Sequence, residues 1–150
     1  MPQSLARVHI HLIFGTKNRE PVLADAIRSS LHAYMATVLA DVTCPAVIIN
    51  SVSDHVHVLF QLGRTVALAT AVEEVKKSSS KWLKTQSPAL SGFAWQAGYG
   101  AFSVSESNAP RVANYIRNQE SHHRVKSFQD EYRGFLRRHK VEFDERYVWD

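Results

Sequence analysis

One cysteine, Cys44, stands among 150 residues. A lone thiol excludes an internal disulfide and a thiolate zinc cluster. No stretch approaches the ~18 apolar residues that a membrane span needs. The N-terminus lacks the succession of charged, apolar and small residues that marks a secretory signal. Together these absences point to a soluble chain in the cytoplasm. There is no internal repeat, and low complexity is confined to Ser78-Ser79-Ser80. An excess of charge of one sign is also nearly missing: the net is +4, which hints only mildly at a polyanionic partner. What is present is ordinary globular material, 45% hydrophobic and 21% charged. That is enough to build a core, so a disordered chain and a disulfide mini-scaffold are both excluded. The length suits a single domain over 1–150.

The small net charge is unevenly spread. Residues 1–75 carry five Lys/Arg and six Asp/Glu, whereas residues 76–150 carry thirteen and eight. Basic character therefore belongs to the second half, where contact with a polyanion is expected.

Apolar residues at 8, 10, 12 and 14 alternate through Val8–Phe14 and predict a strand, ended by Gly15 and the polar Thr16-Lys17-Asn18-Arg19. A helix follows on Leu23, Ile27, Leu31, Tyr34 and Val38, with Pro45 beyond its end. The β-rich runs 46–52 and 55–60, joined through Ser53-Asp54, predict a hairpin. Residues 66–85 form a second helix with Val72, Val75, Ser79 and Trp82 on one side and Lys77, Lys81 and Lys84 roughly opposite. Glu73 is placed to pair with Lys77. Trp95 to Ser105 reads as a strand, Asn108 with Pro110 as the start of a helix running to about Ser121, and Ser127 to His139 as a further helix. The order β-α-β-β-α-β followed by C-terminal helices predicts an α+β, ferredoxin-like (RRM-like) antiparallel sheet with two crossover helices on one face.

His55 and His57 are two apart on a strand, so they share a face with Cα atoms ~6.6–7 Å apart and can converge on one metal ion. Such pairs also arise when histidines merely alternate with valines, and His9 and His11 repeat the spacing with no further support. Tyr115 and Gln119 lie one above the other at i and i+4 on a helix, with Arg111 and His122 on the same edge. The plain alternative there is a solvated helix face with Tyr115 packing at its boundary. A tyrosine oxygen is a usable but weak nucleophile, and a metal that polarises a phosphate would offset that weakness.

These residues resemble those of single-tyrosine HUH transposases of the IS-two-hundred/six-hundred-five insertion-sequence family. The likeness is carried by Asp54-His55-Val56-His57-Val58-Leu59, Lys76–Leu83, Trp95–Ser105, Tyr115–His123 and the ending Phe143–Asp150, and it covers essentially the whole chain. The resemblance implies that Tyr115 attacks a DNA phosphodiester to form a 5′-phosphotyrosine link and free a 3′-hydroxyl. It implies that His55, His57 and Gln119 bind Mg²⁺ or Mn²⁺. It also implies single-stranded DNA with hairpins as substrate, and a homodimer in which the tyrosine helix of one subunit serves the HUH site of the other. Two imidazoles and an amide oxygen make a softer set than a typical magnesium site, so manganese is expected to bind more tightly. Asp54 is either an orienting partner of a histidine or simply a turn residue.

Candidate DNA contacts are Lys17, Arg19, Lys76, Lys77, Lys81 and Arg111, the last one turn before Tyr115. Trp82 reads as core, Arg137-Arg138 as a solvated helix face, and His122 and His123 as capping or packing residues more than ligands or proton acceptors. Two other functions compete. One is a domesticated relative acting on repeated genomic palindromes, disfavoured by the short chain with no added C-terminal module. The other is a non-catalytic nucleic-acid-binding module, disfavoured because no aromatic RNP pattern is apparent. A small metal-dependent hydrolase is a further possibility, and it would yield free 5′-phosphate without a covalent adduct.

Overall fold

A computed structural model describes residues 2–122 and 126–150, the side chain of His122 excepted. Four strands, β1 (His9–Gly15), β2 (Ala46–Ser51), β3 (His55–Gln61) and β4 (Gly100–Val104), form one antiparallel sheet in the order β2-β3-β1-β4. Helix α1 (Asp25–Asp41) connects β1 to β2, and α2 (Leu68–Lys84) connects β3 to β4. This is the expected α+β, ferredoxin-like arrangement. The short helices α3 (Ala109–Arg117), α4 (Gln119–His122) and α5 (Phe128–Arg138) follow.

Strand alternation sorts the sheet into two chemically different faces. Ile10, Leu12 and Phe14 of β1 and Val56, Val58 and Phe60 of β3 point toward α1 and α2, where they meet Leu31, Met35, Leu39, Val72, Val75 and Leu83 in the main core. Each such side chain, fully buried, contributes about 1.5–3 kcal/mol of transfer free energy. The other face presents His11, Ile13, His55, His57, Leu59 and Phe102, and α3 and α5 cover it. Register makes the two histidine pairs neighbours: in the β1–β3 ladder His11 faces Leu59 and Ile13 faces His57.

Three details differ from the sequence expectation. The buried stripe of α1 is Leu31, Met35 and Leu39, so the helix is rotated and Ile27, Tyr34 and Val38 flank it, half-buried. Trp82 lies at that boundary too, stacked on Tyr34 with ring centroids 5.4 Å apart. The fourth strand is shorter than Trp95–Ser105. Trp95 makes only an isolated bridge to Thr16, and the backbone N–H of Gly98 donates to Asp150 O at 2.8 Å instead of to a strand. Finally, the expected helix to Ser121 breaks at Asn118 (φ −98°, ψ 23°). The carbonyls freed there are satisfied by Asn50 of β2, whose Nδ2 donates to Ile116 O at 2.8 Å and Arg117 O at 3.2 Å. A polar residue on the site-facing side of β2 thus holds the end of the helix that carries Tyr115.

Helix α5 starts at Ser127, whose Oγ caps the backbone N–H of Asp130 at 3.2 Å. It packs through Phe128, Tyr132, Phe135 and Leu136. Tyr132 rests directly on the backbone of Gly100 in β4.

Candidate active site

The buried face of α5 carries one carboxylate, Glu131, among its aromatic residues. The structure delivers it to the β3 histidines. Glu131 Oε1 lies 2.9 Å from His57 Nε2 and 3.6 Å from His55 Nε2. Its Oε2 accepts a hydrogen bond from the Tyr115 hydroxyl. His55, His57 and Glu131 are all buried, and their ligand atoms lie within 4.8 Å of one another. One carboxylate therefore touches both the histidine pair and the candidate nucleophile.

The remaining ring nitrogens are engaged from behind. His55 Nδ1 bonds Asp54 Oδ1 at 2.7 Å, and the His55 ring stacks on Phe128 at 4.2 Å. Of the two roles weighed for Asp54, it thus holds the orienting one. His57 Nδ1 bonds His11 Nε2 at 2.8 Å. Burial, reinforced by the neighbouring His57, pushes the pKa of His11 well below the ordinary histidine range, so His11 is a neutral ring able to accept a hydrogen bond from His57 Nδ1–H. Burial also works against charge on His55, but hydrogen bonds and the negative charges of Asp54 and Glu131 outweigh it and raise its pKa. Tyr115 moves upward. Burial disfavours the phenolate, and the bond to Glu131 stabilises the protonated phenol. A hydrogen bond from Gln119 and the charge of Arg138 partly oppose both effects.

This donor set fits a divalent cation. It offers two imidazole nitrogens and a carboxylate oxygen, a combination that suits first-row divalent ions. Each imidazole also has its second nitrogen held by a partner, as metal-ligating histidines require.

Of the residues singled out in the sequence, the structure brings together His55, His57, Tyr115 and Gln119. Gln119 is fully buried and its Nε2 donates to Tyr115 O at 3.4 Å, across the break between α3 and α4. Tyr115 sits beside the histidines of its own chain, with its ring centroid 6.0 Å from that of His57.

The basic candidates scatter. Lys17 and Arg19 form an exposed turn after β1, next to the strand end where Asp54 lies. Lys76, Lys77 and Lys81 lie on α2, across the sheet from Tyr115. Lys76 is half-buried and donates to the carbonyls of Gln96, Ala97 and Gly98 at 2.7, 3.0 and 2.9 Å, and burial pushes its pKa down to about 8. Lys77 pairs with Glu74 at 3.3 Å, where Glu73 had been expected. Arg111 is exposed on the first turn of α3 and lines a cleft that reaches His11. The expectations for His122 and His123 concern side chains outside the described residues.

Sequence reasoning missed Glu131 and His11. The signal for Glu131 was present as a single acid within the apolar stripe Phe128, Tyr132, Phe135, Leu136. The signal for His11 was a second His-X-His run on the strand that pairs with the first.

A sequence profile described as "Transposase IS200 like" matches residues 4–119, which leaves α5 and Glu131 beyond its end. Among solved structures, a "putative transposase" from Deinococcus radiodurans R1 superposes with a TM-score of 0.62 at 24% identity, covering 79% of this chain and 98% of that one. A REP-associated tyrosine transposase bound to a REP hairpin superposes with a TM-score of 0.61 at 13% identity, covering 82% of this chain and 73% of that one. At these identities the structural likeness is one of fold. No curated protein matches the chain.

Proposed function

Since this chain belongs to the IS200-like transposase family, we propose that it cleaves and rejoins single-stranded DNA at hairpin-bearing ends through a 5′-phosphotyrosine intermediate. The observation that carries the reading is the Glu131 carboxylate, which joins the Tyr115 hydroxyl to the ligand nitrogens of His55 and His57 within one chain. A bare nucleic-acid-binding module has no use for that buried constellation. The neighbour bound to a REP hairpin supports hairpin DNA as the class of substrate.

In this reading the Tyr115 oxygen forms a bond to phosphorus while the bond from phosphorus to the 3′ oxygen breaks, releasing a 3′-hydroxyl. A 3′-hydroxyl then attacks the phosphotyrosine and returns the phenol. The number of phosphodiester-level bonds is unchanged, so neither water nor a nucleotide cofactor is consumed. His55 and His57 would hold Mg²⁺ or Mn²⁺ together with an oxygen donor. Glu131 suits that place as well as Gln119, because its oxygen already lies with the two nitrogens. When bound, the ion supplies positive charge that makes the target phosphorus more electrophilic. His11 and Asp54 orient the two imidazoles. A homodimer, with the active site shared between subunits, remains part of the proposal. The whole 1–150 span acts as one domain.

The test is a denaturing-gel assay with labelled single-stranded, hairpin-bearing DNA and Mn²⁺. The native chain forms a covalent adduct that protease removes, while Tyr115→Phe forms none and still binds the hairpin. Adducts from the phenylalanine variant would remove Tyr115 as nucleophile, and free 5′-phosphate without any adduct would make the protein a hydrolase.

A further inference from the structure

A cleft of about 300 Å³ opens between β4, the start of α3 and the end of α5. At its back lies His11, the ring that bonds His57. Phe102 and Phe135, both buried, form its aromatic backing, their rings 5.7 Å apart at 22°. Two cations stand over it: Arg138 from the last turn of α5, its guanidinium 4.9 Å from the Phe135 centroid, and Arg111 from the first turn of α3. The His139 ring lies on Phe102 at 4.6 Å. No carboxylate is among the described lining residues. Phe135 is shared with the nucleophile, since its ring lies 5.7 Å from that of Tyr115.

We propose that this cleft seats one unpaired nucleotide of single-stranded DNA beside the phosphodiester that Tyr115 attacks. The inference rests on the strand-transfer reading above and assigns it a substrate contact. The exposed His139 ring and Arg138 guanidinium, backed by those buried rings, offer a base planar groups on which to stack, and sequence-tolerant stacking of this kind is how single strands are held. Two guanidinia and no opposing acid match the phosphate that travels with the base. The volume admits about one nucleotide and is small for a peptide helix. Arg138, read in the sequence as solvated surface, is placed by its ring contact to serve both base and phosphate.

The probes are a fluorescein-labelled dT₁₂ and a twelve-mer of the same backbone with every base removed, bound to the full chain without metal. Three variants change the cleft alone: Arg111→Gln, Arg138→Gln and Ser105→Trp, the last an exposed rim residue whose new side chain fills the opening. The native chain prefers dT₁₂ to the abasic strand. Arg138→Gln and Ser105→Trp weaken dT₁₂ binding about tenfold and bring the two probes toward equal affinity. Arg111→Gln lowers the slope of log affinity against log salt by about one phosphate contact. All three keep the native thermal midpoint. Variants that retain native affinity and preference overturn the seat, as does competition by polyglutamate equal to that by dT₁₂. The adduct assay separates the two readings. Native adducts with an unaffected base preference leave strand transfer standing and the seat wrong. A base preference lost in the variants without native adducts keeps the nucleotide seat and removes strand transfer.

Discussion

 Replacing His11 with leucine removes the partner that β1 supplies to the Nδ1 of His57. His11 and His57 are 46 residues apart, and the sheet brings His11 Nε2 to 2.8 Å from His57 Nδ1. The variant tests whether a residue that does not face the ion sets the ion's affinity. For His57 Nε2 to offer its lone pair to a cation, the ring proton must sit on Nδ1, and a buried Nδ1–H needs an acceptor. His11 is that acceptor, held neutral by burial and by the neighbouring His57. Leucine fills similar space but accepts nothing, which leaves a buried donor unsatisfied at a cost of about 1–3 kcal/mol. At about 1.4 kcal/mol per tenfold, that corresponds to roughly a 10–100-fold loss, in line with what outer partners of metal-bound histidines contribute. The assay is a Mn²⁺ titration followed by calorimetry or by the electron-spin signal of free Mn²⁺, with no DNA present. His11→Gln, whose amide oxygen can accept the same proton, recovers part of the affinity. A leucine variant that is folded and binds Mn²⁺ within twofold of the native chain would refute the tautomer argument.

Three further outcomes are expected. Asn50→Leu removes both bonds to the carbonyls that end α3, so urea unfolding shows a loss of about 1–3 kcal/mol, and an unchanged midpoint would show that water serves those carbonyls equally well. His32, whose pKa is pushed down to about 4 by burial and by Arg28, stays neutral in the fold while the unfolded chain protonates near 6.5. Its contribution to stability is therefore complete above pH 6.5 and is lost as pH falls toward 4. The thermal midpoint of His32→Gln varies less with pH across that window than the native one, and parallel curves would exclude His32 as the cause. Adduct formation stops with EDTA and returns at a lower concentration of Mn²⁺ than of Mg²⁺, as a site with two imidazoles requires. Equal requirements would indicate that oxygen donors dominate the site.

Much of this molecule was legible in its sequence, for identifiable reasons. Strand alternation at Val8–Phe14 and 55–60, with helical spacing between them, leads to the sheet and its two crossover helices, because both periods are local. His55, His57, Tyr115 and Gln119 were legible as residue types at useful spacings. What assembles them is not local. Glu131 reaches His57 across 74 residues of chain, and its acidity alone reads as a solvated position on an amphipathic helix. The break at Asn118 depends on Asn50, 66 residues from the nearer carbonyl that it caps. Trp95–Ser105 looked like one strand because its residues favour strands, but its first half is engaged by the C-terminal Asp150 and by Lys76. Arg138 is exposed, as its sequence position suggests, but the Phe135 ring beneath it is a contact that the sequence does not show.

The contact between Tyr132 and Gly100 acts as a depth stop for the chemistry. A side-chain carbon added at Gly100 would stand 3.0 Å from the Tyr132 hydroxyl and 3.1 Å from its ring, closer than packed atoms tolerate. Tyr132 follows Glu131 on α5, so any outward shift that relieves that clash lifts the carboxylate as well. Reactive groups must be held within about 0.5 Å of their working positions, and Glu131 sits only 2.9 Å from His57 Nε2. A missing methyl group on a strand that contributes no reactive atom therefore sets how far the carboxylate reaches into the histidine pair.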